Sequence, residues 1–99
     1  MNLLQFRSLA EKIFADIREL TFDGVGVTRE SFGKGESAAG DYLRDLALSE
    51  GLEVEADRAA NLVFRRPGTK AASAVAWVGS HIDSVPQGGN YDGLAGVVA

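Results

Sequence analysis

Apolar residues Phe6, Leu9, Ala10, Ile13, Ile17 and Leu20 recur at intervals of three and four along the start of the chain, the spacing of one buried helix face. Asn2 and Gln5 stand at the separation of a capping box, so this first helix is expected to start near Leu3. The period then disappears across 21–36, where Gly24, Gly26, Gly33 and Gly35 give too much backbone freedom for a regular element, and a long surface loop is expected. Loops of that length often serve a site. The helical period returns over about 37–50, with Ala39, Tyr42, Leu43, Leu46 and Ala47 on one face and Gly51 placed to end it.

Beyond Gly51 the pattern changes to period two. Leu52, Val54 and Ala56 alternate with Glu53 and Glu55, a turn is expected over 57–61, and Leu62 to Phe64 makes a second short strand, so the two form a hairpin. After Pro67 and Gly68, residues 74–78 form a continuous apolar run, which suits a strand covered on both faces, with Trp77 in the core. Leu94, Val97 and Val98 then open another helix that stops without a cap, and a strand at 74–78 would have no later strand to pair with. Both features lead to the expectation of a truncated sequence. The fold class is α/β, in a single domain or part of one, since 99 residues cannot hold two.

Composition narrows the function. The 45% hydrophobic and 24% charged content is that of an ordinary soluble domain. A net charge of -4, with ten scattered Lys and Arg, disfavours nucleic acid and anionic membranes as partners. The first twenty residues carry charges throughout and resemble neither a signal peptide nor a membrane span, so a cytoplasmic location is the expectation. With no cysteine, any metal must be held by imidazole and carboxylate.

Chemistry concentrates in 79–93, Gly-Ser-His-Ile-Asp-Ser-Val-Pro-Gln-Gly-Gly-Asn-Tyr-Asp-Gly, which begins where the apolar run ends. Ligands gather at the carboxyl edge of strands in open α/β sheets. If strand geometry persists, His81 and Asp83 project from one face, and the carboxylate can orient the imidazole as metal-binding histidines require. Asp92 follows a Pro and Gly loop and places a second carboxylate at an expected helix start, where it could bridge two cations about 3.5 to 4 Å apart. Taken alone, these residues leave simpler alternatives open: a hydrogen-bonded structural histidine, a turn-initiating Asp83, a helix-capping Asp92. Arg29 and Gln87 are polar loop residues that could line a site or simply be solvated, and Glu50, Glu53, Glu55 and Asp57 suit a solvated acidic face.

The same stretch resembles the first metal-binding loop of the dinuclear metallopeptidase and amidohydrolase superfamily. Gly-Ser-His-Ile-Asp-Ser-Val-Pro, then Gly-Gly, then Tyr-Asp-Gly is most similar to its hydantoinase/carbamoylase branch, which includes N-carbamoyl-L-amino acid amidohydrolases, allantoate amidohydrolases and β-ureidopropionases. Gly26-Val27-Thr28-Arg29, the second helix and Asp57 through Leu62 fall where that branch has similar segments, so the likeness runs along nearly the whole chain. It implies the N-terminal part (1–99) of a zinc-peptidase-like catalytic domain, with helices packed on a mixed β-sheet. It also implies two divalent metal ions, Zn or Mn, Co or Ni, with His81 binding one, Asp92 bridging both, and Asp83 the catalytic-site carboxylate that buttresses the His81 ring. A cis peptide at Asp92-Gly93 is implied as well.

The resemblance further implies hydrolysis of linear carbon-nitrogen bonds, foremost of N-carbamoyl-L-amino acids, with allantoate next and peptidase or deacylase activity more distant. The partner is then a small ureido substrate, and the whole protein is a homodimer. In the family the general base belongs to a Glu-Glu pair after the helix that follows the bridging aspartate, a pair without a counterpart in this sequence. Ligand counting supports a competing expectation, that these 99 residues alone are non-catalytic, because His81 and Asp92 supply only a minority of the roughly four ligands each ion needs.

Overall fold

The structure, a computed structural model, describes residues 1–68 and 75–99. Among them are three helices and one two-stranded antiparallel sheet, in the order α1 (Leu3–Thr21), α2 (Lys34–Ser49), β1 (Glu53–Ala56), β2 (Leu62–Arg65) and α3 (Leu94–Val98). The chain divides into two units, Met1–Ala39 with Gly79–Ala99, and Gly40–Val78. No described helix is long and apolar enough to cross a membrane.

In the first unit, α1 starts where the capping box places it. Asn2 Oδ1 accepts from the Gln5 amide at 3.0 Å and Gln5 Oε1 accepts from the Asn2 amide at 2.8 Å, satisfying two donors that the first turn leaves open. Ile13, Ile17 and Thr21 are buried, and Leu94 of α3 is fully so. Phe14 meets Tyr91 edge to face at 4.8 Å between ring centres. The expected inner face of α1 is buried only at Ile13 and Ile17. Phe6 and Leu20 are exposed, since among the described residues of this unit only the short α3 lies along α1.

The stretch after α1 is more ordered than a free loop. Phe22 bridges Val27 across a tight turn, and Asp23 holds that turn by accepting from the Val25 and Gly26 amides, each at 2.9 Å, and from the Thr28 hydroxyl. Helix α2 begins at Lys34, earlier than the hydrophobic period indicates, with Glu36 accepting from the Phe32 amide ahead of the first turn.

In the second unit, Gly51 ends α2 as expected. It sits at φ +80°, its amide donates to Leu48 O at 3.1 Å, and the Leu52 amide reaches Ala47 O at 2.9 Å, the paired closure of a Schellman motif that glycine enters without a Cβ penalty. The hairpin also forms, with Val54 opposite Phe64 and Ala56 opposite Leu62. Asp57 builds its turn by accepting from Ala59 N, Asn61 N and Asn61 Nδ2, at 2.8 to 2.9 Å. Glu50, Glu53, Glu55 and Asp57 are all exposed.

The expected buried strand at 74–78 is a correction. Ala74 lies outside the described residues, and Val75 to Val78 form no strand. Val75, Trp77 and Val78 are 70%, 74% and 93% exposed, so Trp77 is not a core residue. A strand depends on a neighbour to complete its ladder, and the described strands β1 and β2 pair only with each other. The mixed sheet is likewise replaced, among the described residues, by an antiparallel pair.

Candidate metal centre

The site is built within the first unit, from two segments that run past each other. Val27 and Gly88 exchange both backbone bonds, at 3.0 and 2.8 Å, and the Ser84 amide donates to Arg29 O at 2.8 Å. Ser84, itself buried, accepts from the Arg29 amide at 3.1 Å. These bonds fix the chain just after Asp83, while Ser80 Oγ donates to Gly93 O at 2.9 Å and draws the two ends of the loop together.

His81 and Asp83 meet, although no strand carries them. His81 Nδ1 lies 2.9 Å from Asp83 Oδ1 and 3.1 Å from the Asp83 carbonyl. Both are acceptors, so Nδ1 carries the proton, and in the neutral ring the lone pair is on Nε2. The bonds to the Asp83 side chain, and next to its backbone, raise the His81 pKa above its ordinary value. Asp83 is held ionised from two sides: the Ser31 hydroxyl, first, and then the His81 ring lower its pKa.

His81 Nε2 faces Asp92, with Oδ1 at 3.6 Å. That separation is longer than an ordinary hydrogen bond and short enough for the two groups to share one ligand. Asp92 is not a helix cap: Gly93 occupies the N-cap of α3 and no side chain caps that helix. Gly93 is at φ +67°, and a Cβ there would lie 2.3 Å from His81 O and 2.5 Å from His81 Nδ1, so only glycine lets the backbone pass this close to the ring. The expected cis peptide at Asp92-Gly93 is corrected: there is none among the described residues, and Gly93 instead has a positive φ.

Two residues matter here beyond the expected ones. Arg29, treated from sequence as an open question, is fully buried, with its guanidinium bonded along the loop. Burial lowers its pKa, and the charges of Asp92 and Asp83 act in the opposite sense. Period two could have found it, since Val27 and Arg29 are buried and Thr28 between them less so. Ser31 had no local signal, because its partner Asp83 is 52 positions away. The Gln87 side chain, by contrast, is exposed, although its amide donates to Thr28 Oγ1 at 3.1 Å.

The metal that the resemblance implies can be tested against these residues. Imidazole nitrogen and carboxylate oxygen are suitable donors for Zn and its neighbours, and Nδ1 is already tied to a carboxylate. Two ligands on one tetrahedral ion, with bonds of about 2.0 to 2.1 Å, stand about 3.3 Å apart, close to the 3.6 Å between His81 Nε2 and Asp92 Oδ1. The pair therefore fits two positions of a coordination shell. Among the described residues no group of three or more His, Cys, Asp or Glu side chains converges on one ion.

No family model matches the chain. No solved structure matches it either. Curated proteins do. The chain is 40% identical over 95 residues to an N-carbamoyl-L-amino-acid amidohydrolase of Paenarthrobacter aurescens, covering 93% of this chain and 23% of that protein. It is 46% identical over 74 residues to the enzyme of that name from Geobacillus stearothermophilus, covering 75% of this chain and 18% of that protein. An allantoate amidohydrolase of Escherichia coli strain K12 is 45% identical over 98 residues, 98% of this chain and 24% of that protein. The chain thus spans about a quarter or less of the length of these relatives, and over that span it is a homologue of N-carbamoyl-L-amino acid and allantoate amidohydrolases.

Proposed function

We propose that this chain supplies the first metal-binding loop of a dinuclear-metal amidohydrolase that hydrolyses ureido compounds, foremost N-carbamoyl-L-amino acids. The observation that carries the reading is the His81 arrangement: Nδ1 engaged by Asp83 at 2.9 Å while Nε2 faces the Asp92 carboxylate at 3.6 Å. Relatives named for carbamoyl amino acids and allantoate support the substrate class, because the compounds in those names share a ureido group.

His81, through Nε2, and the Asp92 carboxylate would hold the metal ions, while Asp83 keeps the proton on Nδ1 and the ring in place. When bound, Zn, or Mn, Co or Ni, polarises the ureido carbonyl and lowers the pKa of water for attack. The net reaction on an N-carbamoyl amino acid consumes one water and yields the amino acid, ammonia and carbon dioxide. Residues 1–99 form part of the metal-dependent catalytic domain, and the whole protein works as a cytoplasmic homodimer on a small-molecule substrate.

Two other readings have specific support. Allantoate as substrate is favoured by the match that covers 98% of this chain. A non-catalytic role for the 99 residues by themselves is favoured by the small number of converging ligands. Assay of the whole protein against an N-carbamoyl-L-amino acid, allantoate and an N-acyl amino acid, with and without chelator, separates the substrate readings. Chelator-sensitive turnover of the first is expected, and no turnover of either ureido compound would overturn the proposal. The isolated chain is expected to bind Zn weakly and to hydrolyse nothing.

A further inference from the structure

We infer that Arg29 is a positioning residue for this site, a buried fork that sets the separation of His81 from Asp92. The inference rests on the metal-site reading above. The Arg29 side chain is fully buried. Its Nε donates to Ile82 O at 2.6 Å, the carbonyl between His81 and Asp83. From the other end of the fork, Nη2 donates to Asn90 O at 3.0 Å and to Asp92 O at 3.4 Å, and Nη1 donates to Asn90 Oδ1 at 3.1 Å. One planar group thereby ties both ends of the loop that separates the two candidate ligands.

The choice of acceptors is informative. Arg29 takes Asp92 by its main-chain oxygen, so the Asp92 carboxylate stays available to face His81. The guanidinium also places a fixed positive charge beside Asp83 and Asp92 while leaving their carboxylates as acceptors for other groups. A lysine would preserve the charge but could not span the three carbonyls, because its donors radiate from one point. Anchoring by hydrogen bonds and stabilisation by charge can therefore be told apart with Arg29→Lys.

A metal-free readout exists, because a Cβ on Gly93 would lie 2.6 Å from His81 Cε1, which puts one Gly93 Hα against the ring. In the apo chain, an NMR contact between Gly93 Hα and His81 Hε1 is expected for the wild type and is expected to vanish or fall severalfold in Arg29→Lys, with the helical circular dichroism signal retained. Zn affinity is expected to fall about tenfold or more in the same variant, the scale seen when groups that orient a ligand are lost. An unchanged Gly93–His81 contact in a folded Arg29→Lys protein would overturn the inference. If Arg29→Lys does not fold, Asn90→Ala, which removes one acceptor and leaves the guanidinium, is expected to weaken the contact, and an unaltered contact there would overturn it equally. Loss of the contact in a protein whose wild type takes up no Zn would leave Arg29 as the anchor of the loop and defeat the metal reading instead.

Discussion

Ser31 donates its hydroxyl to Asp83 Oδ2 at 2.6 Å, which leaves Asp83 Oδ1 to hold the His81 ring at 2.9 Å. The two oxygens of one carboxylate are thus divided between a serine that fixes the carboxylate and a histidine that the carboxylate fixes. The chain of contacts runs outward from the candidate ligand, and each group restricts the rotation of the next. A ring held this way loses less freedom when Nε2 takes a ligand.

Removal of groups along this chain should weaken Zn binding in order of distance. Asp83→Ala is expected to lower the affinity by about 10- to 100-fold, and Ser31→Ala by a smaller factor, since Asp83 also keeps its contact with His81. Calorimetric titration of the two variants with Zn measures both. Equal losses, or a larger loss for Ser31→Ala, would contradict the ordering.

Gly93→Ala should damage both stability and the site. The positive φ alone costs a non-glycine residue about 1–3 kcal/mol, and the added Cβ would press on His81 O and Nδ1 at 2.3 and 2.5 Å. Urea unfolding is expected to show a loss of at least that size, together with loss of the Zn response. A variant as stable as the wild type would show that the backbone does not pass the ring as described.

Acid should loosen the turn that precedes Arg29. Hydrogen bonds from Thr28, first, and from the Gly26 and Val25 amides lower the Asp23 pKa to about 2. Because the folded value is the depressed one, the stabilisation is fully present above the ordinary carboxylate value and is lost as pH falls through about 2. The stability difference between wild type and Asp23→Ala is therefore expected to be constant near neutrality, to shrink between about pH 4 and pH 2 and to level off below. Thermal unfolding of both proteins across that range checks it, and a difference independent of pH would refute it.

What could be read from sequence was what short-range chemistry dictates. The Asn2–Gln5 capping box, the Gly51 stop and the hairpin turned by Asp57 and Asn61 depend on partners a few positions away, and all are present. The His81–Asp83 contact was legible for the same reason. The apolar run at 74–78 misled because four or five apolar residues in a row signal burial only where another element supplies the cover, and Trp77 is exposed in the structure. Arg29 gives no sign of its role in sequence because a loop arginine is ordinarily solvated, while its acceptors Ile82, Asn90 and Asp92 lie more than fifty positions away.

In the proposed site His81 presents a Nε2 lone pair to a metal while Asp83 holds the proton on Nδ1. Nitrogen-15 NMR of the His81 ring during Zn titration tests it most directly. A protonated Nδ1 is expected at both ends of the titration, with a shift confined to Nε2 that disappears in Asp92→Asn. A ring whose Nδ1 takes the metal, or whose two nitrogens do not respond to Zn, would contradict it.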